Sequence, residues 1–413
     1  MTASGKIELM APAGNFESLQ AALDNGADSI YFGVEQLNMR ARATINFTME
    51  DLPEIAKRCQ TKNVRTYLTL NTIIYDHDLS VVKTLLNKAK KAGITAVIAS
   101  DQAVITSARS IGMEVHISTQ LNITNAETVK FYSLFADTIV LSRELSLRQV
   151  KKITEQIEKE KIKGPSGNLI EIEIFGHGAL CMAVSGKCYL SLHSHNSSAN
   201  RGACKQNCRK KYTVIDQESG FEIEIDNEYM MSPKDLCTID FLDQVINSGI
   251  KVLKLEGRGR APEYVAMVTK TYRDAIDAYY DGNFSHEKIS SWMEDLSTVY
   301  NRGFWSGYYL GQKLGEWSAN PGSNATQKKV YVGKGVHFFP KANIAEFKIE
   351  AYDIKIGDKI MITGPSTGVQ ELIIEDMMVN DIQLKKASKG DRCTLKLPFR
   401  VRNSDKLYKI VEQ

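Results

Sequence analysis

The sequence predicts an α/β protein: a (β/α)8 TIM-barrel-like domain followed by a small C-terminal β-barrel domain. Three observations carry this expectation. Eight short apolar runs recur through the first 257 residues, most of them separated by amphipathic stretches of helical period. The runs lack the polar alternation of a half-exposed strand, as expected where a parallel sheet is covered on both faces. From about Lys328 the pattern changes to short alternating segments split by turn residues, the mark of antiparallel β structure.

The predicted strands are IELMAP (7–12), SIYFGV (29–34), RTYLTLN (65–71), AVIAS (96–100), EVHIST (114–119), DTIVLS (137–142), IEIEIFGHG (170–178) and VLKLEG (252–257). NFESLQAALDNG, after the first strand, has helical spacing, and SVVKTLLNKAKKAG ends in a helix-stopping glycine. A doubly wound open sheet would use the same pattern with fewer strands; eight is the count of a closed barrel. The expected division is a barrel over 1–284 with an insertion at 178–212, a helical and aromatic connector over 285–327, and the β-domain over 328–413.

Composition is that of an ordinary globular chain: 413 residues, 43% hydrophobic, 24% charged, net charge +3. This charge is compatible with an anionic partner without requiring one. MTASGKIELMAPAG lacks the apolar core of a signal peptide, and no apolar run reaches the roughly 18 residues of a membrane span. A cytoplasmic location is expected, with neither membrane nor DNA as partner.

A barrel carries its active site at the C-terminal ends of its strands. The residues falling there are Arg40, Arg42, Asn71, Asp101, Gln120, Asn122, Arg143, Glu144, His177, Glu256 and Arg258. Directly after the seventh strand come four of the seven cysteines: Cys181, Cys188, Cys204 and Cys208, with Cys237 further on. Six, fifteen and three residues separate the first four. In a reducing compartment such clustering points to metal binding or catalysis rather than disulfides. Only Cys204 and Cys208 have the short spacing usual in zinc ribbons. The wider gaps suit an iron–sulfur cluster held from separate loops, while zinc and unligated thiols are the other readings. Cys59 and Cys393 lie in a helical and a β pattern and read as buried packing residues.

EIFGHGALCMAVSGKCYLS (173–191), NRGACKQNCRKKY (200–212) and KLEGRGRAPEYVAMVTKTYRDAID (254–277) resemble the collagenase-like peptidase family, the thirty-second of those of unknown catalytic type. The resemblance starts at LMAPAGNFESLQAALDNGADSIYFG and runs to about residue 280, and the β-domain resembles the one that follows in many members. It implies either proteolysis or oxygen-independent hydroxylation by proteins carrying a 4Fe–4S cluster. Members of the second kind act on tRNA wobble uridine, on an rRNA cytidine or on ubiquinone, and prephenate is implicated as cosubstrate of the RNA reactions. The present motifs are most similar to the tRNA-hydroxylating type. By resemblance Cys181, Cys188 and Cys204 are cluster ligands. The fourth is Cys208, as in the tRNA type, or Cys237, as in the ubiquinone type; the short Cys204–Cys208 spacing favours Cys208.

Around these motifs several residues have a functional and a plain reading. Arg201, Lys205, Arg209, Lys210 and Lys211 form a basic run suited to tRNA phosphates, or a solvated surface. Arg40 and Arg42 can clamp a small carboxylate cosubstrate such as prephenate, or pair with internal acids. His177 is a candidate proton donor, a hydrogen-bond partner of a cluster sulfur, or a loop histidine. Glu256 is a candidate acid/base with Arg258 beside it, or half of a salt bridge with Arg258 or Lys254. His193 and His195 read as loop residues. For a protease the sequence offers no HExxH, and GPSTG (364–368) lies between β-strands, where a turn is expected rather than a nucleophile elbow. A non-catalytic RNA-binding protein with a structural cluster is the third reading. Nothing in the sequence names an electron donor.

Overall fold

The computed structural model describes residues 6–42, 46–212, 214–215, 218, 222–223, 231–320, 322–380 and 382–413. Residues 1–5, part of the N-terminal stretch read above, lie outside it. Strands and helices alternate from the start: β1 (Glu8–Ala13), α1 (Phe16–Asp24), β2 (Ser29–Phe32), α2 (Leu52–Gln60), β3 (Arg65–Leu70), α3 (Leu79–Ala92), β4 (Ala96–Ala99), α4 (Gln102–Ser110), β5 (Glu114–Ile117), α5 (Ala126–Tyr132), β6 (Thr138–Val140), α6 (Leu147–Glu160) and β7 (Glu171–Ala179). The insertion follows, with the short helix α7 (Leu190–His195) and a ribbon of β8 (Val214–Ile215) with β9 (Glu222–Ile223). Then come β10 (Asp235–Cys237), α8 (Leu242–Asn247), β11 (Val252–Leu255), α9 (Pro262–Tyr280), α10 (His286–Thr298) and β12 (Phe304–Trp305).

Strands β1 to β7 pair in parallel in chain order, and β11 closes the ring by pairing with both β7 and β1. The fold is therefore a closed eight-stranded (β/α)8 barrel. Local chemistry sets the helix ends. The Asn15 side chain accepts the Ser18 N–H at the start of α1, and α3 stops at Gly93 in the left-handed region. The layer between sheet and helices holds the main apolar core, including Leu19, Leu68, Val97, Ile139 and Leu253, with Cys59 among them. Residues 285–327, expected as a connector, place Trp292, Leu296, Trp305 and Tyr309 in this same core. Strand β10 runs antiparallel along the end of β7, and β12 pairs with β10. Together they raise one wall above the barrel mouth.

The C-terminal region is antiparallel β, from β13 (Gln327–Phe339) to β22 (Lys406–Glu412). Eight of its strands form one sheet over a separate core containing Phe347, Ile360, Ile362, Leu395 and Cys393. The antiparallel β-domain expected after the barrel is thus present. GPSTG forms the hairpin turn between β16 (Lys359–Gly364) and β17 (Gly368–Ile373). Its Pro365 carbonyl accepts from Arg58 of α2, which ties the two regions together. None of the helices among the described residues is long and apolar enough to cross a membrane.

Candidate functional site

The insertion after β7 folds over the C-terminal end of the barrel and roofs a cavity of about 450 Å³. It is stitched down at both ends. Asn122, after β5, donates to the Ser185 carbonyl at 2.9 Å. On the other side Gly202, at φ +81°, packs so closely on the Asn38 carbonyl that a Cβ would collide. Only glycine meets both demands there. The floor comes from β2, β3, β6, β7 and β11, and the roof from residues 180–190 and 204–209.

Cations dominate the lining: Arg40, Arg143, Arg209, Arg258, Arg260, Arg302, Lys187 and Lys254 face it, against the single carboxylate of Glu256 among the described residues. Glu256 binds Arg40 at 3.0 Å and accepts from the Tyr31 hydroxyl at 2.9 Å. Burial opposes its charge, but Arg40, Arg143 and Arg258 outweigh that and hold it down at about 2. Arg258 is buried and donates to Thr69 Oγ1 at 2.7 Å, while its Nε has no partner. Arg143 lies 4.1 Å over the Phe175 ring, and its Nε also lacks a partner. Arg260 stacks on Tyr300 at 3.6 Å, and Arg302 pairs with buried Asp235 at 3.3 Å. Buried guanidinium N–H groups left unmatched are costly, and the Nε atoms of Arg143 and Arg258 are two such groups beside a strongly cationic lining.

Cys181, Cys188, Cys204 and Cys208 all line this cavity, exposed or partly exposed. They are close enough that burial raises the Cys208 thiol while Arg209 opposes and the other three sulfurs add to the rise. The Gln206 N–H points at Cys204 Sγ at 3.4 Å, the kind of donor that tunes a ligating sulfur. Among the described residues no three Cys, His, Asp or Glu side chains converge as a single metal ion requires. Around one zinc all four sulfurs must lie about 2.3 Å from the same point. In a four-iron cluster each thiolate binds its own iron, so the sulfurs stand further apart. Four thiols lining one cavity are a donor set that fits an iron–sulfur cluster.

Other sequence candidates fall elsewhere. Gly176 makes a bulge where β7 pairs with β11: Lys254 faces Phe175, and the next residue, Leu255, faces His177. The bulge turns His177 out of the barrel. It packs against Tyr264, Tyr272 and Phe304, with Tyr272 Oη 3.3 Å from its Nδ1. Burial, then Arg260, lowers it to about 3. His177 is a neutral packing residue, not a proton donor in the cavity. Cys237 pairs with His177 across the β7–β10 ladder and points the same way, 3.8 Å from Tyr272 Oη and from Met293 Sδ. Burial pushes its thiol up to about 12, and it does not line the cavity. Glu256, held ionised, is a poor acid at neutral pH, and its salt-bridge partner is Arg40 rather than Arg258 or Lys254.

The two expected clamp residues also separate. Arg40 reaches the cavity, whereas Arg42 is exposed beside a second pocket. Arg201 is bound to Asp78 and to the Ile73 carbonyl. Arg209 is tied to the carbonyls of Leu180 and Pro233 and to Ser232 Oγ, bracing the loop of Cys181 against that of Cys208. Neither arginine is available as a surface phosphate contact. Lys205, Lys210 and Lys211 are exposed.

Below the cavity the bore carries an unforeseen ladder of charges. Lys254 Nζ binds Glu173 at 2.7 Å, and Glu173 lies 3.8 Å from His116 Nδ1. His116 Nε2 binds Glu114 at 3.1 Å, and Arg65 joins Glu114 at 2.8 Å to Glu8 at 3.2 Å. The inward positions of β1, β3, β5, β7 and β11 carry these groups. Strand alternation could have flagged them, had the charged residues inside apolar runs been counted as bore residues.

The family model described as Peptidase family U32 matches residues 14–319. The chain is 55% identical over 402 residues to a Porphyromonas gingivalis protein named collagenase, covering 97% of each. It is 34% identical to tRNA hydroxylation protein P1 of Bacillus subtilis, covering 74% of this chain and 71% of that one. It is 30% identical to the 23S rRNA 5-hydroxycytidine C2501 synthase of Escherichia coli, covering 76% of this chain and 47% of that one. The chain belongs to peptidase family U32.

Proposed function

We propose that the protein is an iron–sulfur-dependent, oxygen-independent hydroxylase of an RNA base, with tRNA wobble uridine, converted to 5-hydroxyuridine, as its substrate. The observation that carries this reading is the convergence of four cysteines and a ring of arginines on one cavity at the barrel mouth. Cys181, Cys188, Cys204 and Cys208 would hold a 4Fe–4S cluster through their sulfurs. When bound, such a group supplies one-electron redox chemistry. The chain's own residues would do the rest. Arg258, with its unpartnered Nε, and Arg143 would orient a small carboxylate cosubstrate of the prephenate class by charge-assisted hydrogen bonds. Glu256 would keep Arg40 in place. The roof would shield the reacting groups from water, and an unpaired loop nucleotide can present its base to such a cavity. Relatives named for tRNA and rRNA hydroxylation support the substrate class.

A second reading, proteolysis, is favoured by the name of the 55% identical relative. Against it, no histidine lines the cavity among the described residues, and its one carboxylate is locked by arginine. A cysteine protease needs a base beside its thiol. The deciding experiment is mass spectrometry of tRNA nucleosides from a strain lacking this gene and any redundant hydroxylase, complemented with wild type or Cys181→Ala. Restoration of 5-hydroxyuridine-derived nucleosides by wild type only is expected. An unchanged nucleoside profile, together with gelatin cleavage by the iron-free protein, would replace this reading with proteolysis.

A further inference from the structure

Helix α7 crosses the barrel mouth as a low ridge between two depressions. Tyr189 and Leu190, at its start, line the deep cavity. Leu192 and Asn196, at its other end, line a second pocket of about 640 Å³ whose far wall includes Tyr75 and Arg42. Both tyrosines are unusually open for aromatic residues: Tyr189 is 66% exposed and Tyr75 51%. Tyr75 is held in place from below, with the Arg201 guanidinium 4.1 Å from its ring centre and itself fixed by Asp78. Arg201 thereby acts as a support for a ring.

Single exposed apolar residues need no explanation. Here two aromatic rings flank one ridge, each at the edge of its own pocket, with Lys187 beside one and exposed Arg42 beside the other. We infer that Tyr189 and Tyr75 are stacking platforms for the two unpaired nucleotides that flank the target base, with Arg42, which shares a pocket with Tyr75, contacting the backbone phosphate on the Tyr75 side of the target. This deepens the RNA reading above and rests on it. Proteins grip single-stranded nucleic acid by this combination, because every base offers a stackable face and every linkage a charge. A proline-rich peptide also docks in aromatic grooves, but a neutral peptide would leave the cationic lining without a counterpart, whereas a polynucleotide matches it.

The test uses the full-length protein and a fluorescent RNA stem-loop with the target uridine in its loop, alongside two versions carrying an abasic residue on one side or the other. Tyr189→Ala and Tyr75→Ala should each weaken binding of the intact stem-loop by about ten-fold or more, while Tyr→Phe at either position keeps it. Each alanine variant should become indifferent to one of the two abasic substitutions, a different one for each. Arg42→Ala should reduce the salt slope of binding by about one. Wild type that binds the stem-loop while both alanine variants bind equally well, or remain sensitive to both abasic sites, overturns this inference alone. Wild type that binds no stem-loop but captures a Gly-Pro-rich peptide overturns the RNA reading with it.

Discussion

Cys204→Ser, purified without oxygen, should retain almost none of the iron and acid-labile sulfide that the wild type holds in near-equal amounts, whereas Cys237→Ala should retain all of it. The contrast follows from where the two thiols stand. Cys204 faces the cavity with three other cysteines, and the Gln206 N–H is already aimed at its sulfur. A serine oxygen there is a harder, less acidic donor that a soft iron–sulfur site rejects. Cys237 lies among Tyr272, Met293 and the apolar layer outside the barrel, where burial keeps its thiol protonated at neutral pH. Since metals bind thiolates, a sulfur held near 12 in an apolar layer is a poor ligand. Thermal melts of both variants separate loss of the cofactor from loss of the fold. Stoichiometric zinc without sulfide in the wild type would replace the cluster with a mononuclear site. Loss of iron from folded Cys237→Ala would make Cys237 the fourth ligand and displace Cys208.

The reasons for this placement show what the sequence could and could not express. The barrel strands were legible because a strand covered on both faces must be apolar throughout, and each predicted run overlaps an observed strand within a few residues. The cysteine insertion was legible as a cap because chain order puts it directly after β7. His177 was misread because it precedes Cys181 by four residues and alternation from Glu173 and Phe175 points it inward. One bulge at Gly176 reverses that, and nothing local announces it. The arginine ring was only partly visible. Arg40, Arg143 and Arg258 sit at strand ends, but Arg302 arrives from beyond α10, and such convergence is a property of the closed fold. Conversely Arg201 and Arg209 looked like a basic patch because they adjoin lysines, and both are consumed by hydrogen bonds that hold loops and a ring.

The ladder in the bore predicts the largest effect on stability. Lys254, His116 and Arg65 alternate with Glu173, Glu114 and Glu8, so the interior is neutral only when His116 carries its proton. Burial opposes the imidazolium, but Glu114 and Glu173 outweigh it and push His116 up to about 9. Burial likewise opposes the Glu114 carboxylate, yet His116 and then Arg65 hold it down at about 2. An unfolded histidine titrates near 6.5. Between about 6.5 and 9 the folded chain therefore binds more protons than the unfolded one, so this contribution is complete below 6.5 and is lost as pH rises through 9. It amounts to about 3 kcal/mol. Glu114 has the opposite sign: its contribution is present above its unfolded value and disappears as pH falls toward 2. His116→Gln strands buried carboxylate charge and should cost roughly 3–5 kcal/mol at pH 6. At pH 9 the wild type has itself lost most of the imidazolium's contribution, so the gap between the two proteins should narrow by about 3 kcal/mol. Urea unfolding at both pH values reads this directly. A gap of equal size at pH 6 and pH 9 would mean that His116 is neutral in the folded barrel and that Glu173 is balanced by Lys254 alone.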